Sequence, residues 1–409
     1  MPLSLFRTCR ITALVVLVGC ASEARTPPLT ELASPTGPRS GEPFLHVDGN
    51  DRVHMTWIER TGDSTHAVRY ARLDGTTWTT PTTISERRDL FVNWADFPSV
   101  VATASGRLVA HWLQRSGTGG RYAYDVRVAE SRDAGATWSG GGLLHTDAAG
   151  ATEHGFVALW LGAGDSVFAA WLDGRDTGGQ PDAARGAMSV RQTSVGPDGV
   201  PSVENVLDLR TCECCQVNAA VGARGPIVVY RDRSTEEIRD IGVVRQVDGR
   251  WTEPGIVHDD RWRLEACPVN GPAVAARGDT AVVAWFTGAQ DTARVRVAWS
   301  FDGGATFNAP LRIDGGDPVG RVDVELLADG AAAVTWLERV PPSTGEVRAR
   351  RVSPSGTLGT PILLASTSSA RPSGFPKLVR RGSDLIAAWT VPGDTARVKL
   401  ALLPASALP

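Results

Sequence analysis

Lysine is almost missing from this chain. Of its 42 basic residues only Lys377 and Lys399 are lysine; the arginines are scattered among 45 acids, for a net charge of −3. No basic stripe is available to neutralise a phosphate backbone, so nucleic acid is excluded as a partner. Apolar runs of helical period are also missing. The longest apolar stretch, Ile11–Val18, is too short to cross a bilayer as a stable helix. Tyrosine is scarce, at four copies, and cysteine numbers six. The internal cysteines form one C-x-C-C cluster and a single distant partner, not the two C-x-x-C pairs of a common zinc knuckle. Glycine (44) and proline (26) are plentiful, and they punctuate the chain as turns between short strands require.

A short apolar run ending in an aromatic residue recurs seven times. The copies end at Trp57, Trp112, Trp171, Tyr230, Trp285, Trp336 and Trp389, with spacings of 55, 59, 59, 55, 51 and 53 residues. A period of this length with several strands per copy marks a β-propeller. Each run follows a shorter strand and a Gly/Asp turn, and precedes a strand of period-2 alternation such as Val295-Arg296-Val297-Ala298-Trp299. The unbroken run reads as buried on both faces and the alternating strand as half wet. The expected fold is all-β: a propeller of four-stranded antiparallel blades, seven by this count, six being the alternative. The last unit stops after its third strand, Val398–Leu403, and leaves an open edge. Leu29–Ala33 is the candidate to pair there and close the ring.

Between third and fourth strands lies a second repeat. Ser131-Arg132-Asp133-Ala134-Gly135-Ala136-Thr137-Trp138 and Ser300-Phe301-Asp302-Gly303-Gly304-Ala305-Thr306-Phe307 are its full copies. Asp74-Gly75-Thr76-Thr77-Trp78 and Asp248-Gly249-Arg250-Trp251 are degenerate ones. An Asp accepts from turn amides, a Gly takes the positive-φ position, and the aromatic packs back. This turn resembles the Asp-box, or BNR repeat, of the sialidase-like superfamily. The resemblance spans residues 44–404 and implies Asp-box turns that are structural, not catalytic. It departs in count, because sialidases have six blades.

The N-terminus ends its apolar run in Leu17-Val18-Gly19-Cys20. This resembles a bacterial lipobox, which implies a signal peptide over 1–19 and lipidation at Cys20. Residues 20–43 then read as a lipidated tether holding the ring-closing strand, and 44–409 as the propeller. Ser22, by the same resemblance, favours outer-membrane sorting. The expected location is extracytoplasmic and lipid-anchored, at the outer membrane or the periplasmic face, where disulfides persist.

In up-and-down blades, the 2–3 loops and the connections between blades share one end of the ring. The most distinctive of these segments fall in units 2–5. They carry Trp94, Asp96, Glu153, Asp173, Arg175, Arg231, Asp232, Glu237, Arg239 and Trp262, read as ligand-binding candidates against the alternative of inter-loop ion pairs. The same connections hold Cys212, Cys214, Cys215 and Cys267. These read either as two disulfides or as a thiolate site for Cu(I) or Zn, with His154 and His258 as candidate further ligands. Otherwise no cofactor is expected.

Resemblance to sialidases implies a Tyr nucleophile, a partnering Glu, an Asp acid/base and an arginine triad. Asp96, Glu237 and Tyr230 are the catalytic candidates, although Tyr230 occupies the repeated core position. The Arg-Ile-Pro motif is missing from Gly41–Arg60. Three functions stay open. The first is a membrane-tethered propeller binding a glycan or small polar ligand over blades 2–5. The second is an exo-sialidase-type glycoside hydrolase, and the third a periplasmic thiol- or metal-handling protein.

Overall fold

Seven antiparallel sheets form a ring, each built from one sequence repeat. They appear in a computed structural model that describes residues 29–117, 120–147, 152–177, 187–196 and 199–409. The proposed signal sequence and Cys20 lie outside the described residues. The fold is a seven-bladed β-propeller with almost no helix.

The second strands are Val53–Arg60, Leu108–Arg115, Val167–Asp173, Gly225–Arg231, Thr280–Thr287, Ala332–Val340 and Asp384–Val391. They are buried nearly end to end, as their unbroken apolar sequences require. Their terminal aromatics join the blades. Trp57 packs with Val379, Ile386 and Ala388 of blade 7, and Trp112 packs with Val68 of blade 1. Trp171, Tyr230, Trp285, Trp336 and Trp389 each pack likewise against the blade before their own. One aromatic wedge per interface explains why this position recurs.

The first strands line the axis, and neighbouring ones touch all the way round the ring. Three of them start earlier than the apolar pattern suggests. A bulge separates Gly41 from Phe44, Gly155 from Ala158 and Gly320 from Asp323. Glu42, Phe156 and Arg321 sit in these bulges with φ of 52°, 55° and 54°. The axial channel is nearly filled by Phe44, Phe97, Phe375 and Lys377, which leave a cavity of about 80 Å³. Lys377 Nζ lies 3.6 Å from the Phe97 ring centre, and burial lowers its amine to about 8.

Closure comes from the N-terminal side. Thr30–Leu32 pairs antiparallel with Arg397–Pro404, so blade 7 gains its fourth strand from the start of the described chain. Lys399 Nζ also pairs with Glu31.

The two full turn repeats form the same network. Asp133 accepts from Thr137 N at 2.9 Å and from Ser131 Oγ at 2.8 Å; Asp302 accepts from Thr306 N at 2.9 Å and from Ser300 Oγ at 2.7 Å. Gly135 and Gly304 carry φ of 89° and 84°, the left-handed conformation the turn needs. Both sit on the end of the ring opposite the 2–3 loops. No helix among the described residues is long and apolar enough to cross a membrane.

Candidate functional site

A broad cleft lies on the end of the ring where the 2–3 loops and inter-blade connections meet. Its volume is about 560 Å³. Five segments build it: Arg39–Glu42 entering blade 1, the Arg60–His66 loop, Val92 and Trp94, Arg371 and Pro372, and the Pro392–Ala396 loop. It therefore stands over blades 7, 1 and 2, not over blades 2–5. Of the ten sequence-predicted ligand contacts, only Trp94 lines it.

Trp94 is half-buried. It stacks on Phe375 at 5.8 Å, and the Arg321 and Arg371 guanidinium groups lie 4.7 and 5.9 Å from its ring centre. Arg39, Arg60 and Arg371 stand exposed at the rim. None of the three makes an ion pair among the described residues; the Arg60 guanidinium donates only to backbone oxygens of its own loop, Gly62 O at 3.1 Å and Asp63 O at 2.5 Å. Glu42 lies half-covered in the cleft wall, and burial raises its carboxyl to about 7. Burial lowers His66, and the Arg60 charge adds to that effect.

The remaining candidates hold the ring together. Asp96 is buried and accepts from Phe156 N at 2.7 Å, clasping blade 2 to blade 3. Burial raises it to about 8 against the pull of that N–H, and Glu153 adds to the rise. Glu153 accepts from Tyr124 Oη at 2.6 Å, and burial raises it to about 7. A phenol bonded to a glutamate is chemically suggestive, yet Tyr124 is fully buried and stacked beneath Phe91 at 3.8 Å, so no substrate reaches it. Tyr230 is also fully buried, with its hydroxyl donating to Asp208 at 2.5 Å. It is a core wedge and not a nucleophile. Tyr70 is buried as well, and Tyr122 is exposed but away from the cleft.

Asp173, fully buried, accepts from Trp171 Nε1 at 2.8 Å and from Arg175 Nε and Nη2 at 2.8 and 2.7 Å. The same motif recurs: Trp57 Nε1 donates to Glu59 at 3.2 Å, and Trp336 Nε1 donates to Glu338. An acid two residues after the core Trp was the sequence signal that Asp173 is structural. Arg231, with its side chain in the interior, donates to Asn270 O at 2.8 Å, Arg239 O at 2.6 Å and Phe286 O at 2.7 Å. Trp262 is buried under Arg231, 4.9 Å away, so it caps the rim and offers no stacking face. Asp232 is half-buried, and burial raises it to about 6.

Arg239 Nη2 bonds Glu237 at 2.7 Å, and Arg239 Nη1 bonds Glu213 at 3.1 Å. Arg233 bonds the same two glutamates. This four-membered box surrounds the cysteine loop. Glu237 is held below the usual carboxylate range by hydrogen bonds from Arg233, against the opposing effect of burial; it is a salt-bridge partner, not a general acid. No disulfide joins Cys212, Cys214, Cys215 or Cys267. Neither histidine candidate joins the sulfurs. His154 gathers instead with Asp125 and His145, whose ring it stacks on at 3.8 Å. His258 faces Asp260 at 3.7 Å and Trp285.

The fold and cleft define a seven-bladed propeller with an open, arginine-rimmed depression at its loop end. No protein-family model matches the chain, and no curated protein matches it in sequence. Solved structures do match its shape. A protein of unknown function from Dyadobacter fermentans superposes with a TM-score of 0.52 at 13% identity, over 92% of this chain and 97% of that one. The alpha-L-arabinanase of Penicillium chrysogenum gives 0.49 at 12% identity, over 93% and 99%. The NanB sialidase of Streptococcus pneumoniae gives 0.47 at 11%, over 92% and 70%.

Proposed function

We propose that this propeller binds an acidic carbohydrate in the cleft over blades 7, 1 and 2, from a position tethered outside the cytoplasm through Cys20. The observation that carries the reading is the rim: three exposed guanidinium groups, Arg39, Arg60 and Arg371, free of ion pairs, line the same cleft as Trp94. Guanidinium forks suit carboxylate or sulfate oxygens, and Trp94 suits the apolar face of a sugar ring. Titration calorimetry with oligogalacturonate and sialyllactose, against neutral oligosaccharides of equal length, tests it. The acidic ligands should bind, and Arg60→Ala or Arg371→Ala should weaken them roughly tenfold each, about the value of one charge-assisted hydrogen bond. Equal binding of neutral and acidic ligands sinks the proposal.

A second reading, hydrolysis of the bound glycan, rests on Glu42. Its carboxyl, raised to about 7 in the wall of the same cleft, retains a proton near neutrality and so suits a general acid. Glu42→Gln should then abolish release of reducing sugar while sparing binding. Unchanged release in that variant removes Glu42 from consideration.

A further inference from the structure

The cysteine loop is built more firmly than a disulfide staple needs. Cys212 Sγ lies 3.4 Å from Cys215 Sγ and 3.8 Å from Cys214 Sγ, and all three sulfurs fall within 4.8 Å of one another. A disulfide requires about 2.05 Å. A metal 2.3 Å from each of several sulfurs holds them roughly 3.8–4.0 Å apart, from tetrahedral to trigonal. The spacing here is near the metal value and far from the covalent one. Cys267 falls outside the group of three sulfurs that all face one another, although its thiol meets Cys214 from the neighbouring connection.

The surroundings fix this triangle. The Cys212 amide donates to Arg231 O at 3.0 Å, and Thr211 Oγ1 donates to the same oxygen at 2.7 Å. Arg231 is itself locked by three carbonyls. Glu213, between the cysteines, is gripped by Arg233 and Arg239. The Asn270 N–H points at Cys215 Sγ from 3.4 Å, the kind of outer contact that orients a ligating sulfur. Cys212 and Cys215 are buried and Cys214 is half-buried, which leaves one side for entry. Three thiolates around one ion carry excess negative charge; Arg231, whose guanidinium bonds only carbonyl oxygens, offsets part of it, while Arg233 and Arg239 are already matched by Glu213 and Glu237.

We infer that Cys212, Cys214 and Cys215 form a three-sulfur site for a soft monovalent metal, Cu(I). Three mutually facing thiolates suit Cu(I), whereas structural Zn takes four and would have to draw in Cys267, which here meets Cys214 alone among the three. Binding forms three Cu–S bonds, and the thiol protons leave to solvent; the metal enters as Cu(I), so no electron is transferred. The site lies over blades 4 and 5, away from the cleft.

The test is anaerobic titration of the full chain with Cu(I), against a chromogenic Cu(I) chelator. One copper per chain is expected, with X-ray absorption of the wild-type complex showing sulfur neighbours only, three in number. Cys212→Ser and Cys215→Ser should each weaken binding at least a hundredfold, Cys267→Ser should not, and Arg60→Ala should leave copper binding intact. The inference is overturned by any of three results: a disulfide among the three cysteines in protein purified without reductant, a four-sulfur zinc site that needs Cys267, or failure to hold Cu(I) against the chelator. The absorption spectrum decides the matter even if a serine variant fails to fold.

Discussion

At the scale of single residues, charge alone does not separate a ligand contact from a strut; burial and partners do. Asp173 and Arg371 are both charged and both at the loop end. Asp173 is fully buried and accepts four hydrogen bonds, from Trp171 and from the Arg175 backbone and guanidinium. Arg371 is exposed and makes no ion pair among the described residues. Asp173→Ala should therefore destabilise the fold by about 3 kcal/mol, the usual cost of stranding one member of a buried pair. Folded Asp173→Ala should keep wild-type affinity for an acidic oligosaccharide. Arg371→Ala should do the reverse, leaving the melting temperature within about 1 °C while affinity falls. Thermal melts and calorimetry on the two variants check this, and the assignment fails if both lose affinity alike.

At the scale of elements, one strand carries ring closure. Thr30–Leu32 covers the edge of Arg397–Pro404, which would otherwise present unpaired N–H and C=O groups. Removing residues 29–33 should lower the melting temperature by on the order of 5 °C or more and promote association through the bared edge. Light scattering beside the melt reads both effects, and an unchanged melt rules out a closing role. The blades were legible because a buried second strand and its wedge aromatic leave a plain apolar signature every 51 to 59 residues. The site was less legible, for a topological reason. Sequence position set units 6 and 7 far from unit 1, and their Pro- and Gly-rich loops looked bland beside the charged loops of units 2–5. Closure makes blade 7 the neighbour of blade 1. Arg371 and the Pro392–Ala396 loop thus face Arg39 and Arg60, residues more than 300 positions earlier. The charged loops of units 3–5 turned their charges on one another, as in Arg233 and Arg239 with Glu213 and Glu237.

At the scale of the whole molecule, the ring gathers more buried acid than its net charge suggests. The lipid anchor proposed at Cys20 is tested by location: Cys20→Ser should shift the protein from the membrane pellet to the soluble fraction, and an unmoved variant removes the tether. Acidity bears on how stable it is. Burial raises Glu42 and Glu153 to about 7, and Asp96 and Glu325 to about 8. Each folded carboxyl keeps a proton that the unfolded chain has already released, so each lowers stability as pH rises from about 4 towards its folded value. Buried histidines work the other way. His46, His111 and His145 are lowered by burial to about 4, 3 and 3, and they raise stability as pH climbs towards 6.5, where the unfolded imidazoles lose their charge. The two sets oppose each other between about pH 4 and 6.5. Above 6.5 the histidines are neutral in both states and the carboxyls dominate, opposed near pH 8 by Lys377, whose amine, lowered to about 8 by burial, gives up a proton that the unfolded chain keeps. Stability should therefore fall from pH 6.5 to pH 8, by up to about 1.4 kcal/mol per pH unit for each proton still held. Asp96→Asn keeps an oxygen able to accept from Phe156 N and has no proton to lose, so it should flatten the slope without breaking the clasp between blades 2 and 3. Denaturant melts of both proteins at pH 6.5, 7.25 and 8.0 measure the slope directly. A slope identical in Asp96→Asn would show that the carboxyl at the blade 2–3 junction is ionised in the folded ring.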